Sequence, residues 1–214
     1  MTTLKKILIA DDHSIVSRGL HYLISLNFED WNITQVPSLS ELMNILPSGG
    51  FSHLILDLNL DDGNSIDKLP EITRLYPELA ILIYSMASEE VFGKKLMQFN
   101  ISGFLSKRSS ESEIVRALTV FLQGGIFVSK KLKRVLDAAG DEGSNQNLFL
   151  SLSLTELKVL GLLLQGNKTK EIANVLGVTQ QTIATLKTRI FKKLGTENIF
   201  EIQKMAELYS INFS

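Results

Sequence analysis

Through the first 125 residues, short apolar runs alternate with longer stretches that are apolar on one side only. Ile7-Leu8-Ile9-Ala10, Leu54-Ile55-Leu56, Ile81-Leu82-Ile83-Tyr84 and Phe104-Leu105-Ser106 read as buried strands. Strand ends are expected near Ala10, Val36, Asp57, Tyr84 and Ser106. Between them, helical periodicity predicts helices over 14–27, 38–46, 64–75, 88–99 and 110–123. Ser38 ahead of Glu41 and Ser110 ahead of Glu113 have capping-box spacing, which supports two of the starts. Such alternation argues for a parallel sheet with helices on both faces.

The pattern then changes. Gly124-Gly125 closes the alternating region, and a short helical pattern follows over about 129–139. Residues 140–147 are small, polar and glycine-containing, the composition of a flexible linker. From Leu152 onward only helical patterns occur, over 153–165, 168–176, 179–194 and 197–210, punctuated by Gly166, Gly177 and Gly195. The expected domains are therefore 1–125, a linker with a short helix over 126–147, and 148–214.

Chemistry collects where the apolar runs stop. The first ends in Asp11 and Asp12, the second in Asp57, the third in Ser85 and the fourth in Lys107. In a parallel sheet these groups converge at one edge, where ligands of such sheets bind. Mg²⁺ takes oxygen ligands and often needs only one or two carboxylates, so Asp11, Asp12 and Asp57 could supply its site. A carboxylate can also be a nucleophile that forms an acyl phosphate. Lys107 and the Ser85 hydroxyl would then cover further phosphoryl oxygens, the outline of a phosphoryl-transfer site.

At 214 residues the chain is long enough for two modest domains. Its 44% hydrophobic and 21% charged residues are ordinary for a globular protein. The absence of cysteine excludes disulfides, thiolate metal sites and cysteine nucleophiles. No apolar stretch approaches the roughly 20 residues of a membrane span, and Ile7–Ala10 runs straight into Asp11, a poor signal peptide. A cytoplasmic location with no membrane partner is expected. Residues 1–131 carry 12 Lys+Arg against 15 Asp+Glu, and residues 148–214 carry 8 against 5. An acidic first part and a basic last part suit a regulatory domain joined to a nucleic-acid-binding one.

With Asp11-Asp12-His13, Val16, Gly19-Leu20, Asp57, Gly63, Ser85, Gly103-Phe104 and Lys107 in place, residues 4–125 resemble the receiver domain of two-component response regulators. The likeness is to the NarL/FixJ type. It implies a flavodoxin-like α/β domain with a five-stranded parallel sheet of order 2-1-3-4-5. It also implies that Asp57 accepts a phosphoryl group from a sensor histidine kinase. Mg²⁺ would be held by Asp12, Asp57 and the Asn59 backbone carbonyl, with Asp11 acting mainly through water. Ser85 and Phe104 would form the switch pair, the ring moving inward after the hydroxyl. His13 reads as a signature at a helix start rather than a base. Asp61 and Arg108 stand where many receivers have proline.

Leu152 through Leu160, Gly166, Lys170-Glu171-Ile172-Ala173 and the helix from Thr179 to Leu194 resemble the LuxR-type helix-turn-helix domain, an all-α four-helix fold. Thr179 suits its helix N-cap. Ile183, Leu186, Ile190 and Leu194 form its buried stripe. Opposite them, Gln181, Ala184, Thr185, Thr188 and Arg189 could reach base edges of double-stranded DNA, and Lys187, Lys192 and Lys193 its phosphates. Here the departures matter more. Thr155 replaces a usual arginine, Ala184 a DNA-contacting lysine, Leu186 a frequent histidine and Ile199 an arginine. Losing a cation from the phosphate-binding face should weaken binding and its salt dependence. Ile199, Ile202, Met205, Ala206 and Tyr209 make an apolar stripe expected to form a homodimer interface in the active state.

The resemblance points to a phosphorylation-controlled transcription regulator with at most slow self-dephosphorylation, and no enzyme otherwise. Two other readings stay open here. One is a hydrolase with an aspartyl-phosphate intermediate, but Asp57 is followed by Leu58-Asn59, which lacks the second acid of an Asp-x-Asp pair. The other is a phosphorylation-independent interaction module, which the altered DNA face supports and the intact acid set opposes.

Overall fold

The computed structural model describes residues 5–137, 147–209, 211 and 213. Most of the expected 140–147 linker, and the ends of the helices expected over 129–139 and 197–210, lie outside the described residues. The chain divides into two compact units, Met1–Ser85 with Leu96–Lys130, and Met86–Lys95 with Lys131–Ser214. The second unit thus takes in ten residues that the periodicity assigns to the alternating region.

In the first unit, strands β1 (Lys5–Ala10), β2 (Trp31–Val36), β3 (His53–Leu56), β6 (Ala80–Ser85) and β7 (Gly103–Ser106) form one sheet of order β2-β1-β3-β6-β7. All four pairings are parallel. Strands β4 (Asn59–Leu60) and β5 (Gly63–Asn64) make a separate two-residue hairpin that periodicity does not reveal. The inner strands read as unbroken apolar runs because both faces are covered. Ile7, Ile9, Ile55 and Leu82 pack in one cluster with Leu20 and Ile24 of α1 (Ser14–Asn27) and Leu118 and Phe121 of α5 (Glu111–Leu122). Helices α2 (Leu39–Gly49) and α3 (Leu69–Leu75) bury Leu42, Leu46, Leu69 and Ile72.

The expected caps form: the Ser38 and Ser110 hydroxyls accept from the backbone N–H of Glu41 and Glu113. The helix expected over 64–75 starts late, as a 3₁₀ turn at Ser65–Asp67 followed by α3, whose Pro70 lies in the first turn where no N–H is needed. The helix expected over 88–99 is a π turn at Glu89–Gly93, a single turn α4 (Lys94–Leu96) and a 3₁₀ turn at Met97–Phe99. Ser88 makes no side-chain cap there, and Phe92 and Gly93 are poor helix formers.

Gly103 holds the last strand in place. Its φ is 151°, and a Cβ on it would lie 2.6 Å from the Phe127 carbonyl oxygen. The chain leaving α5 runs beside β7 there, and Phe127 N–H donates to Ser102 O at 2.7 Å. Gly103→Ala is expected to cost on the order of 2 kcal/mol by adding strain and a backbone clash. Urea unfolding followed by fluorescence of Trp31, the single tryptophan and a β2 residue, measures this loss.

The second unit contains α6 (Lys130–Asp137, of which Lys130 is counted with the first), α7 (Leu154–Leu164), α8 (Thr169–Leu176), α9 (Gln180–Leu194) and α10 (Ile199–Leu208). Leu157, Leu160, Ile172, Ile183, Ile190 and Ile202 are fully buried at its core. A reciprocal capping box between Ser153 and Glu156 starts α7. Gly177 ends α8 in the left-handed region, and Thr179 caps α9 two residues later by accepting from Thr182 N–H. That tight joint is a helix-turn-helix.

Candidate functional site

The sheet register sets the site. Ala10 pairs with Leu56, Leu56 with Ile83, and Ser85 with Ser106. Asp11, Asp57, Ser85 and Lys107 therefore emerge at one edge. Asp57 is 4% exposed. Its backbone is fixed on both sides: its N–H donates to Ala10 O at 2.9 Å, and its carbonyl accepts from Ser65 Oγ at 2.7 Å. Lys107 Nζ lies 2.6 Å from Asp57 Oδ2 and 2.8 Å from Asp11 Oδ2, so one ammonium bridges two buried carboxylates. Asn59 N–H donates to Asp57 Oδ1 at 3.4 Å, and the Asn64 side chain donates to Asn59 Oδ1 at 2.8 Å across the small hairpin.

Burial pushes the Asp11 carboxyl above its usual range, against the hydrogen bonds from Lys107 and the His13 backbone that lower it. Burial alone would lower Lys107, but its hydrogen bonds to Asp11 and Asp57 outweigh that and raise it. The lysine is firmly charged. Asp11, Asp12, His13 and Asp57 each place a ligand atom within 4.8 Å of one another, and the carboxylate oxygens suit a hard divalent cation. His13 Nδ1 lies 2.5 Å from Asp12 Oδ1, a neighbour that the spacing alone did not suggest.

Ser85 is buried, and its carbonyl accepts from Lys107 N–H at 2.9 Å. Phe104 is fully buried, so the ring position described here is already an inward one. Another side chain that sequence reasoning missed is Asp62, whose carboxylate accepts from the backbone N–H groups of Leu39 and Ser40 at 2.7 and 2.9 Å. It caps α2 from a distance and ties the segment after Asp57 to that helix. Asp61 and Arg108 are exposed.

On α9, Gln181, Ala184, Thr185, Thr188, Arg189 and Lys192 are exposed, while Ile183, Ile190 and Leu194 are buried and Leu186 is half-buried. The hydroxyls of Thr185 and Thr188 donate back to Gln181 O and Ala184 O. Lys187 lies over the Phe191 ring, 5.3 Å from its centroid. Lys193 is tied down, with Nζ 2.6 Å from Glu156 Oε2 and 3.1 Å from Ser151 O. In α10, Ile202 and Ala206 belong to the unit's own core, and Ile199, Met205 and Tyr209 are half-buried. The large exposed apolar residues of that helix are Phe200 and Leu208, at 77% and 78%. Periodicity finds the apolar stripe of Ile199, Ile202, Met205, Ala206 and Tyr209, but not that Ile202 and Ala206 are taken up by the unit's own core.

Burial disfavours the Glu156 charge, yet the hydrogen bonds from Lys193 and the Ser153 backbone hold its carboxyl below the usual value of 4.5. A depressed folded-state value stabilises above 4.5, and that contribution is lost as the pH falls below it. Half-exposed Lys193 limits the effect to on the order of 1 kcal/mol. In Glu156→Gln, melting of the helical circular-dichroism signal should lose this acid-dependent component.

A buried acid cluster bridged by a lysine at the edge of a five-stranded parallel sheet, joined to a helix-turn-helix, defines a receiver coupled to a DNA-binding output. Residues 7–119, more than half of the chain, match the response regulator receiver domain family, and residues 150–206 match the luxR family of bacterial regulatory proteins. The chain belongs to the response regulators with a LuxR-type DNA-binding domain. It is 29% identical to the oxygen regulatory protein NreC of Staphylococcus epidermidis over 211 residues, covering 94% of this chain and 96% of that protein. It is 24% identical over 205 residues to the fimbriae Z protein of Escherichia coli K12, covering 96% and 97%. Among solved structures it resembles RcsB from Salmonella enterica serovar Typhimurium bound to promoter rprA with the phosphomimetic BeF3-. That likeness has a TM-score of 0.78 and 26% identity, over 95% of this chain and 98% of that one. The protein is a regulator of transcription controlled by phosphorylation. Among the described residues no helix is long and apolar enough to cross a membrane.

Proposed function

We propose that Asp57 is the phosphoacceptor of this regulator and that its phosphorylation by a sensor histidine kinase in the cytoplasm controls DNA binding through the 126–147 linker. The observation that carries the assignment is the Lys107 ammonium bridging Asp57 and Asp11 at 2.6 and 2.8 Å. An Asp57 carboxylate oxygen attacks the phosphorus of phosphohistidine, the P–N bond breaks, and the imidazole leaves with a proton. Lys107 shifts from the carboxylates to a phosphoryl oxygen. Ser85 donates to another, and buried Phe104 holds the strand end that Ser85 leaves. Asp12, Asp57, the Asn59 carbonyl and, through water, Asp11 would hold Mg²⁺, which neutralises phosphoryl charge. Dephosphorylation in the absence of a partner is slow, because Asn59 supplies no second acid.

In the output domain, residues 148–214, Gln181, Ala184, Thr185, Thr188 and Arg189 face the bases and Lys187 and Lys192 the phosphates. Lys193 contributes less, being spent on Glu156. The active form is a homodimer through α10, where half-buried Ile199, Met205 and Tyr209 meet the partner beside Phe200 and Leu208. A small phosphodonor with Mg²⁺ is expected to strengthen binding to DNA fragments selected from the source genome, read by gel shift. Equal binding with and without the donor would refute phosphorylation control through this site.

A further inference from the structure

α6 divides its residues between two faces. At about 100° per residue, Leu132, Val135 and Leu136 share one side of the helix. Leu132 is fully buried and the other two are half-buried. Lys130, Lys131, Lys133 and Arg134 fall on the opposite side, within an arc of roughly 160°, and all four are exposed. None of them has an ion pair among the described residues. Lys130 and Arg134, like Lys131 and Arg134, are helical neighbours whose like charges repel. The anchored face holds this repulsion in place, and the helix's one acid, Asp137, sits at its far end. An uncompensated, fixed row of cations fits a polyanion.

The output unit gives that polyanion its identity. Its recognition helix is short of available cations: Lys193 is paired with Glu156, and residue 184 is alanine. Arg189 and Lys192 remain exposed without an ion pair among the described residues. Four cations spread over about 6 Å of helix match the phosphate spacing of duplex DNA, roughly one charge per 1.7 Å of axis. We propose that the basic face of α6 is a second phosphate-binding surface, gripping the backbone of DNA held by the helix-turn-helix and adding affinity without base selectivity. This rests on the DNA-binding reading of the output domain.

The test compares the full-length protein with a variant carrying Lys130→Gln, Lys131→Gln, Lys133→Gln and Arg134→Gln. Glutamine keeps helix propensity. Anisotropy titrations use two duplexes, one of mixed sequence and one enriched by selection with the wild type, at several salt concentrations. The slope of log K against log salt should fall by about 2 to 3, equally on both duplexes, at about 0.9 for each phosphate no longer neutralised. A version with arginine at all four positions should keep the wild-type slope. Weaker binding with an unchanged slope overturns the proposal, because the change is then structural. No binding of either duplex by the wild type overturns it together with the DNA-binding reading. If the glutamine variant instead loses only its binding to vesicles of anionic phospholipid, the face belongs to a membrane surface and the proposal fails.

Discussion

An Asp57→Asn variant given Mg²⁺ and a small phosphodonor is expected to gain no phosphoryl group by intact mass, where the wild type gains one. The amide keeps the shape of the side chain but lacks the carboxylate oxygen that forms the acyl phosphate. The effect is complete rather than graded, since Asp57 is the acid both buried beside Lys107 and adjacent to β3. Loss of fold is not the expected cause. Lys107 keeps Asp11 as its partner at 2.8 Å, and one of three crowded negative charges is gone. Trp31 fluorescence in urea should show stability near that of the wild type. An equal mass gain in the variant would move the acceptor to Asp11 or Asp12.

Lys107→Ala should have the largest effect on stability, a loss of about 3 kcal/mol at neutral pH in the same unfolding measurement. Lys107 and its two partners are all nearly buried, at 6%, 5% and 2% side-chain exposure. Removing the cation leaves two carboxylates facing each other with little solvent. The Asp11 carboxyl, already raised by burial, rises further. A group raised in the folded state favours folding below its unfolded value and loses that advantage as pH rises through the folded one. The deficit against the wild type should therefore be widest at neutral pH and narrow in mild acid. A deficit independent of pH would mean that the missing packing of the lysine stem, rather than its charge, is responsible.

The receiver half was readable because its signals are local. Apolar runs ending in Asp11, Asp57, Ser85 and Lys107 name both the strands and the groups at their ends, and a parallel register then brings those groups together. What stayed hidden depends on neighbours distant in sequence. Asp62 looks like one more acid in an acidic turn until its bonds to Leu39 and Ser40 are seen. Lys193 looks like a phosphate ligand until Glu156, 37 residues earlier, claims it. In α10, the stripe of Ile199, Ile202, Met205, Ala206 and Tyr209 looks like a face for a partner until Ile202 and Ala206 are seen to fill the unit's own core. The segment 88–99 has helical spacing but weak formers and no cap, so its backbone settles into π and 3₁₀ turns.

The Lys193–Glu156 pair has a mechanical meaning. Glu156 belongs to the first turn of α7, a few residues after Asn147, while Lys193 belongs to the last turn of α9. With Ser151 O also holding the lysine, the segment just ahead of α7 is pinned to the far end of the recognition helix. A displacement of the segment at Ser151 would therefore be felt at the end of α9 through the Lys193 side chain, not only through the turns between the helices.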